Sequence, residues 1–309
     1  MNTKSFSAKE IIEKFKDDII ITIGNDNVVF TSFYNSSNPT NDSISWVNGA
    51  RMSIFLLDPN HANFIITDKC FKELNQKIPE NTFVVIAQKP KLLFIKILTH
   101  CFQPKIYWSK HPSAIISPDA KIHKEVYIGP NCVIGKVNIG KGCVLEGNNF
   151  IYDNVTLKEN VIIQAGAIIG SRGMSMARDI NDILHNFPSL GEIIIESDVE
   201  IGSNAVIDAA VMGKTLVGKG TKINSLTFIG NSAEIGEHNY ISVCVNINGS
   251  VKIGNRNFIG SGSSIRNKTI IRNDNTVASG AIVIKNIDNN TTVMGNPAKE
   301  KAQAKNLHL

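Results

Sequence analysis

The side chains able to do acid–base or metal chemistry are few in this chain, and their spacing suits neither. The five cysteines form no CxxC pair and stand in no zinc-like spacing with any of the seven histidines. His123 and His238 read as exposed corner residues, whereas His185 lies in a long polar stretch from which it could reach a site as a base. What recurs at fixed spacing is amide: Asn231, Gly249 and Asn267 follow one another at intervals of 18 residues. Asparagine does not titrate, so such a column cannot act as a general base. Such a column suits positioning and hydrogen bonding of a ligand rather than proton transfer.

The interval of 18 comes from the element that must carry these residues. From Ile116 an aliphatic returns every six positions, at Ile122, Ile128 and Ile134, then after one deletion at Ile139, Leu145, Ile151, Leu157, Ile163 and Ile169. It resumes at Ile195, Ile201 and Ile207, and again from Val217 through Ile229, Ile247 and Ile265 to Val283. A hexapeptide period marks a parallel β-helix. Three hexads close one triangular coil, so residues i and i+18 stack. Small or β-branched residues such as Val126, Ala167 and Ala205 stand two places before the aliphatic, and Cys132 and Cys143 on those positions read as filler. Glycine after the aliphatic, as at Gly202 and Gly236, suits a corner where a Cβ would crowd the bend. The period breaks twice, between Ile169 and Ile195 and between Ile207 and Val217. Insertions in a solenoid fall at corners and commonly build its binding face, so these adjacent breaks predict a shared cleft.

Residues 1–105 read as a small α/β domain. A capping box, Ser7 to Glu10, opens a helix, and Pro90 opens a second. Between them lie β-rich runs at Ile19–Ile23, Val28–Thr31, Ile44–Val47, Asn63–Thr67 and Phe83–Ala87. Residues 106–287 form the β-helix and 288–309 a tail expected to be short and helical. A net charge of +5 is spread among acids and amides with no basic run, which argues against nucleic acid. The start, MNTKSFSAKE, has no apolar signal core and no apolar run is long enough to cross a membrane, so a reduced, cytoplasmic protein is expected.

The chain resembles, end to end, the UDP-3-O-acylglucosamine N-acyltransferase family of lipid A synthesis. The shared features are the segment Asp42-Ser43-Ile44-Ser45-Trp46-Val47, the Pro90 helix, His111-Pro112-Ser113-Ala114 and Gly170-Ser171-Arg172-Gly173. They continue through Val199-Glu200-Ile201-Gly202-Ser203-Asn204 and Ile207-Asp208. The resemblance implies a left-handed prism, an exception to the usual right-handed crossover. It also implies a homotrimer with active sites between neighbouring prisms, and transfer of an acyl group from a pantetheine thioester to the amine of a nucleotide-linked sugar. Where the family carries a His base in an Ile-Ala-His-Asn corner, this chain reads Ile229-Gly230-Asn231-Ser232; a second family His matches Lys268. The family's channel-closing Met matches Gly280, and its uracil-stacking Tyr matches Met52.

By that correspondence Asn231 orients the amine and Gly249 N–H holds the carbonyl oxygen, unless Asn231 is a tolerated turn residue in an inactive protein. Asp208, Asn224, Ser225 and Asn267 are sugar-binding positions, or corner residues that satisfy loop backbone. Trp46 either stacks on a pyrimidine or is a half-buried core residue. Gly262, Gly280, Lys268, Lys285 and Lys299 are the donor-binding positions, the lysines suiting coenzyme A phosphates or an acidic carrier protein unless they are merely solvated. No tightly bound cofactor or metal is expected. The departures, with an ending Gly295-Asn296-Pro297-Ala298-Lys299 similar to that of coenzyme A-dependent acetyltransferases, point to an acyl-CoA donor and a dTDP-type amino sugar. The alternatives are the lipid A enzyme itself, with acyl carrier protein and a UDP-sugar, and an inactive nucleotide-sugar-binding scaffold.

Overall fold

The computed structural model describes residues 5–33, 42–47, 64–69, 80–104 and 106–301. The chain divides into two units, Met1–Lys105 and Ile106–Leu309. In the first, Ser7 Oγ accepts the Glu10 N–H while Glu10 Oε2 accepts the Ser7 N–H, and this capping box starts the helix Ala8–Phe15. A five-stranded sheet runs in the order Ile19–Gly24, Phe83–Ala87, Phe64–Thr67, Ser43–Trp46, Ser32–Phe33. Only its first pairing is antiparallel. Phe30, Phe64, Phe83, Ile11 and Ile97 fill the core, the last from the helix Pro90–Phe102. Four of its strands match β-rich runs of the sequence to within a residue at their ends, where pairing rather than composition sets the limit. Ser32–Phe33 lies outside those runs, and the run Val28–Thr31 yields Val29–Phe30, which pairs antiparallel with Phe6–Ser7 in a separate two-stranded sheet.

The second unit is the three-sided left-handed prism. Its faces hold ten, nine and eight strands, visited in that order on every coil, most of them only two residues long. The ladder registers Ile229 with Ile247 and Ile247 with Ile265, which is the spacing of 18 seen in the sequence. The recurring aliphatics are the core: Ile128, Leu145, Ile201, Ile229 and Ile265 are fully buried, as are Cys132 and Cys143 between them. Burial pushes the Cys143 thiol up to about 11, so it stays protonated filler.

Three columns of left-handed backbone turn the corners. Leu226, Cys244, Gly262 and Gly280 mark the ten–nine edge, Ser232, Ser250 and Lys268 the nine–eight edge, and Gly220, His238, Arg256 and Asp274 the eight–ten edge. Both interruptions fall on the nine–eight edge. The first runs from the strand Ile168–Arg172 through a hairpin, Met176–Arg178 with Leu184–Asn186, and returns at Glu192–Ile195. The second links Val206–Ala209 to Lys214–Val217.

The tail differs from the helix expected for it. Thr292–Met294 joins the ten-stranded face and Lys299–Glu300 pairs back on it antiparallel. The reason is the open end of the core: the last coil leaves apolar interior uncovered, and Val293, buried there, with Ala298 packed against the core, closes it. Residues 302–309 lie outside the described residues, as does Met52.

Candidate active site on the nine–eight edge

Because the strands on either side of an edge end at the same height on every coil, residues following the nine-stranded face form a column. Asn231, Gly249, Asn267 and Lys285 are that column. The first three line a cleft of about 790 Å³ with Asp208, Arg172, Met174, Ser175, Arg266 and Lys268. The first interruption and the amide column are thus brought together, but of the second break only Asp208 reaches this cleft. Gly213 lines a separate hollow with Leu190 and Gly191, so the single shared cleft expected of the two breaks divides in two.

Glycine makes the centre of this cleft open. Gly230 presses so closely on the next coil that a methyl there would lie 2.6 Å from Gly249 N. Gly249 N–H, reached past this bare position, has no acceptor among the described residues. A Cβ on Gly249 would in turn stand 2.9 Å from Asn231 Oδ1, and one on Gly173 2.7 Å from Asn231 Cβ. Asn231 is therefore held between two glycines, one from the first interruption and one from the coil below, and its side-chain amide makes no hydrogen bond among the described residues. Its carbonyl accepts the Ser250 N–H at 2.9 Å.

Asp208 stands at the wall of the cleft, 9% exposed. Ser171 Oγ donates to its Oδ1 at 2.7 Å. Burial holds its carboxyl above the ordinary carboxylate range, and the Ser171 bond opposes that shift. Thr215 ties Asp208 to the amide corner: its Oγ1 donates to the Asp208 carbonyl and accepts the Ser232 N–H, both at 2.9 Å.

The remaining sequence candidates are dispersed. Asn224, Ser225, Gly262 and Gly280 lie on the ten–nine edge, with no atom within 4 Å of a Cβ built on either glycine. Asn224 Oδ1 accepts the Ser225 N–H at 2.7 Å, the corner-satisfying role left open for these two residues. Lys285 is exposed on the amide column and Lys299 on the tail strand. Trp46 belongs to the first unit, where it is partly buried and packs on the core. His185 pairs with Asp179 at 2.9 Å on the hairpin and does not line the cleft. No histidine lines it among the described residues, and no group of residues there is arranged to hold a metal ion. No helix among them is long and apolar enough to cross a membrane. Sequence reasoning did not single out Arg172 and Arg266 for the cleft, although one lies in the first interruption and the other precedes Asn267.

No family model matches the chain. It is 31% identical over 221 residues to a UDP-3-O-acylglucosamine N-acyltransferase of Helicobacter pylori strain HPAG1, covering 65% of this chain and 63% of that one. It is 29% identical over 222 residues to the protein of that name from Coxiella burnetii strain Dugway 5J108-111, with the same coverage. The chain thus spans a little under two thirds of the length of these relatives. Among solved structures it is similar to a UDP-N-acetylglucosamine O-acyltransferase from Moraxella catarrhalis, with a TM-score of 0.57 and 23% identity over 63% of this chain and 74% of that one. A UDP-N-acetylglucosamine acyltransferase from Francisella novicida gives 0.55 and 25%, over 62% and 68%. The fold is that of the hexapeptide-repeat left-handed β-helix acyltransferases.

Proposed function

We propose that the chain is an N-acyltransferase that moves an acyl group from a pantetheine thioester to the amine of a UDP-linked amino sugar. The observation that carries this reading is the open Gly249 N–H beside an unengaged Asn231 amide in a cleft without imidazole. The amine nitrogen attacks the thioester carbonyl carbon, Asn231 orients it, and Gly249 N–H stabilises the oxyanion before the C–S bond breaks. A donor of that kind contributes about 3 kcal/mol to the transition state.

The expectation of a dTDP-sugar yields to the relatives, whose names specify UDP-3-O-acylglucosamine and N-acyl transfer. The donor is then an acyl carrier protein thioester or its coenzyme A counterpart, and Arg172, Arg266 and Lys268 offer the cleft the positive charge that either phosphorylated donor or diphosphate needs. Asn267 and Lys285 extend that surface along the column. Lys299, Gly262 and Gly280 enter the site only if the protein assembles as a trimer that brings a neighbour's ten–nine edge to this cleft. Such an enzyme works in the cytoplasm, where these donors are made.

Thiol release with UDP-3-O-acylglucosamine and with a dTDP-amino sugar, each offered an acyl carrier protein and a coenzyme A thioester, tests the reading. Release with the UDP-sugar supports it. Release with the dTDP-sugar alone restores the sequence expectation, and binding of nucleotide sugars without any release marks an inactive scaffold.

A further inference from the structure

The cleft contains one carboxylate that the reaction outlined above leaves idle. Asp208 is held by its backbone rather than its acid group: Thr215 Oγ1 bonds its carbonyl, and the strand pairs it with Ser171. Of the carboxylate, only Oδ1 is engaged, by the Ser171 hydroxyl. Oδ2 has no hydrogen-bond partner among the described residues, and no lysine or arginine pairs with it there, although Arg172, Arg266 and Lys268 line the same cleft. Oδ2 is reached by solvent from the cleft, while burial of the rest of the side chain still makes the charged form costly. A corner that needed only the Ser171 bond would be served as well by asparagine, which has no such cost.

An amino sugar supplies what is missing. Resting on the reading of the cleft as an amine-acylating site, we infer that Asp208 is a catalytic residue whose Oδ2 binds the sugar amine and relays its proton from nitrogen to the departing sulfur. The nitrogen lone pair forms the N–C bond at the thioester carbonyl, giving a tetrahedral species with a positive nitrogen. Oδ2 takes the N–H proton as that charge develops. The C–S bonding pair leaves with sulfur, the carbonyl re-forms, and the proton passes from Oδ2 to the thiolate. The products are amide and thiol, and the carboxylate is restored. A weak base such as a carboxylate suffices for this, because the positive nitrogen of the adduct gives up its proton far more readily than the nitrogen of the free amine. The division of labour is that Gly249 holds the oxygen, Asn231 sets the nitrogen's direction and Asp208 carries the proton.

The test compares binding of UDP-3-O-acylglucosamine with its 2-hydroxy analogue, UDP-3-O-acylglucose, by calorimetry on the full chain and on Asp208→Asn. The wild-type protein is expected to prefer the amine by roughly ten- to a hundredfold, the range for a hydrogen bond to a charged group. Asp208→Asn, which keeps an oxygen for Ser171, is expected to bind both ligands alike and to lose turnover. Equal affinity of the wild-type protein for the two ligands overturns the inference whatever the variant does, so the test survives a variant that does not fold. A preference that persists in Asp208→Asn also overturns it. Binding of neither ligand overturns the UDP-sugar reading and this inference together, whereas tight, equal binding of both overturns this inference alone.

Discussion

The nine–eight and eight–ten edges of the prism have the same backbone and opposite uses for it. On the eight–ten edge three successive corner amides are each closed by an asparagine side chain from the coil below. Glu237 N–H donates to Asn255 Oδ1, Asn255 N–H to Asn273 Oδ1, and Asn273 N–H to Asn289 Oδ1. Inside the same edge Asn239, Asn257 and Asn275 form a second, buried ladder. Arg256 and Asp274 add a two-pronged pair on the outside. On the nine–eight edge Lys136 N–H is closed by Asp153 in the same manner, but lower down Gly249 supplies no side chain and its own N–H stays open. The eight–ten ladder closes its donors within the fold, whereas the nine–eight edge leaves Gly249 N–H open to the cleft.

The sharpest way to break this comparison is to place the same methyl on both edges. Gly230→Ala puts a Cβ 2.6 Å from Gly249 N, and Gly236→Ala puts one 2.6 Å from Gly254 O. Both should lower the melting temperature, but only Gly230→Ala should lower kcat, by about 10²–10³-fold, the cost of an oxyanion donor. Equal kcat values in the two variants would remove Gly249 N–H from the mechanism. Asn231→Ala comes next, with kcat/KM expected to fall by roughly 10²-fold through misplacement of the amine. An unchanged kcat/KM in steady-state kinetics would leave Asn231 as a turn residue only.

The converse variant is Asn257→Ala, in which the buried Asn275 N–H loses its acceptor and Asn239 Oδ1 loses one of its two donors. Each such loss costs about 1–3 kcal/mol, so denaturant unfolding should show clear destabilisation while kcat per folded molecule is kept. Asp208→Asn sharpens the contrast through pH. Because burial raises the Asp208 carboxyl, the folded chain binds that proton more tightly than the unfolded one. Stability is therefore lost as pH rises through the carboxylate range, and the loss persists at neutral pH. Removing the charge should raise the melting temperature at neutral pH and flatten its pH dependence, and a lower value there would contradict the assignment of burial as the cause. The smallest effect belongs to His185→Ala: its exposed pair with Asp179 lies on the hairpin and outside the cleft lining, so the pH profile of turnover should not move.

Much of this was legible in the residue order, because a hexapeptide repeat writes its three-dimensional neighbours as arithmetic. The column Asn231, Gly249, Asn267 and Lys285 follows from counting, and the two breaks in the count point to one edge of the prism. Asp208 was read as a sugar-binding or corner residue, since its burial depends on Ser171, which lies 37 residues away only because an insertion intervenes. Counting by 18 passes over that pair. Asn224, Ser225, Gly262 and Gly280 belong to a different edge that the same counting already separates, since Leu226, Cys244, Gly262 and Gly280 run one hexad ahead of Ser232, Ser250 and Lys268. The tail misled for a different reason: the need to close the core outweighs the weak local preferences of Thr292–Glu300.

The reversed strand Lys299–Glu300 has a consequence for how the molecule keeps to itself. A prism of stacked parallel coils ends in a row of unpaired amides that any similar coil could extend, so a bare end is a seed for fibre growth. On the ten-stranded face the last described strand runs the opposite way and offers the wrong polarity for another coil there. Shortening the chain to remove it would be expected to turn a discrete particle into one that polymerises end on.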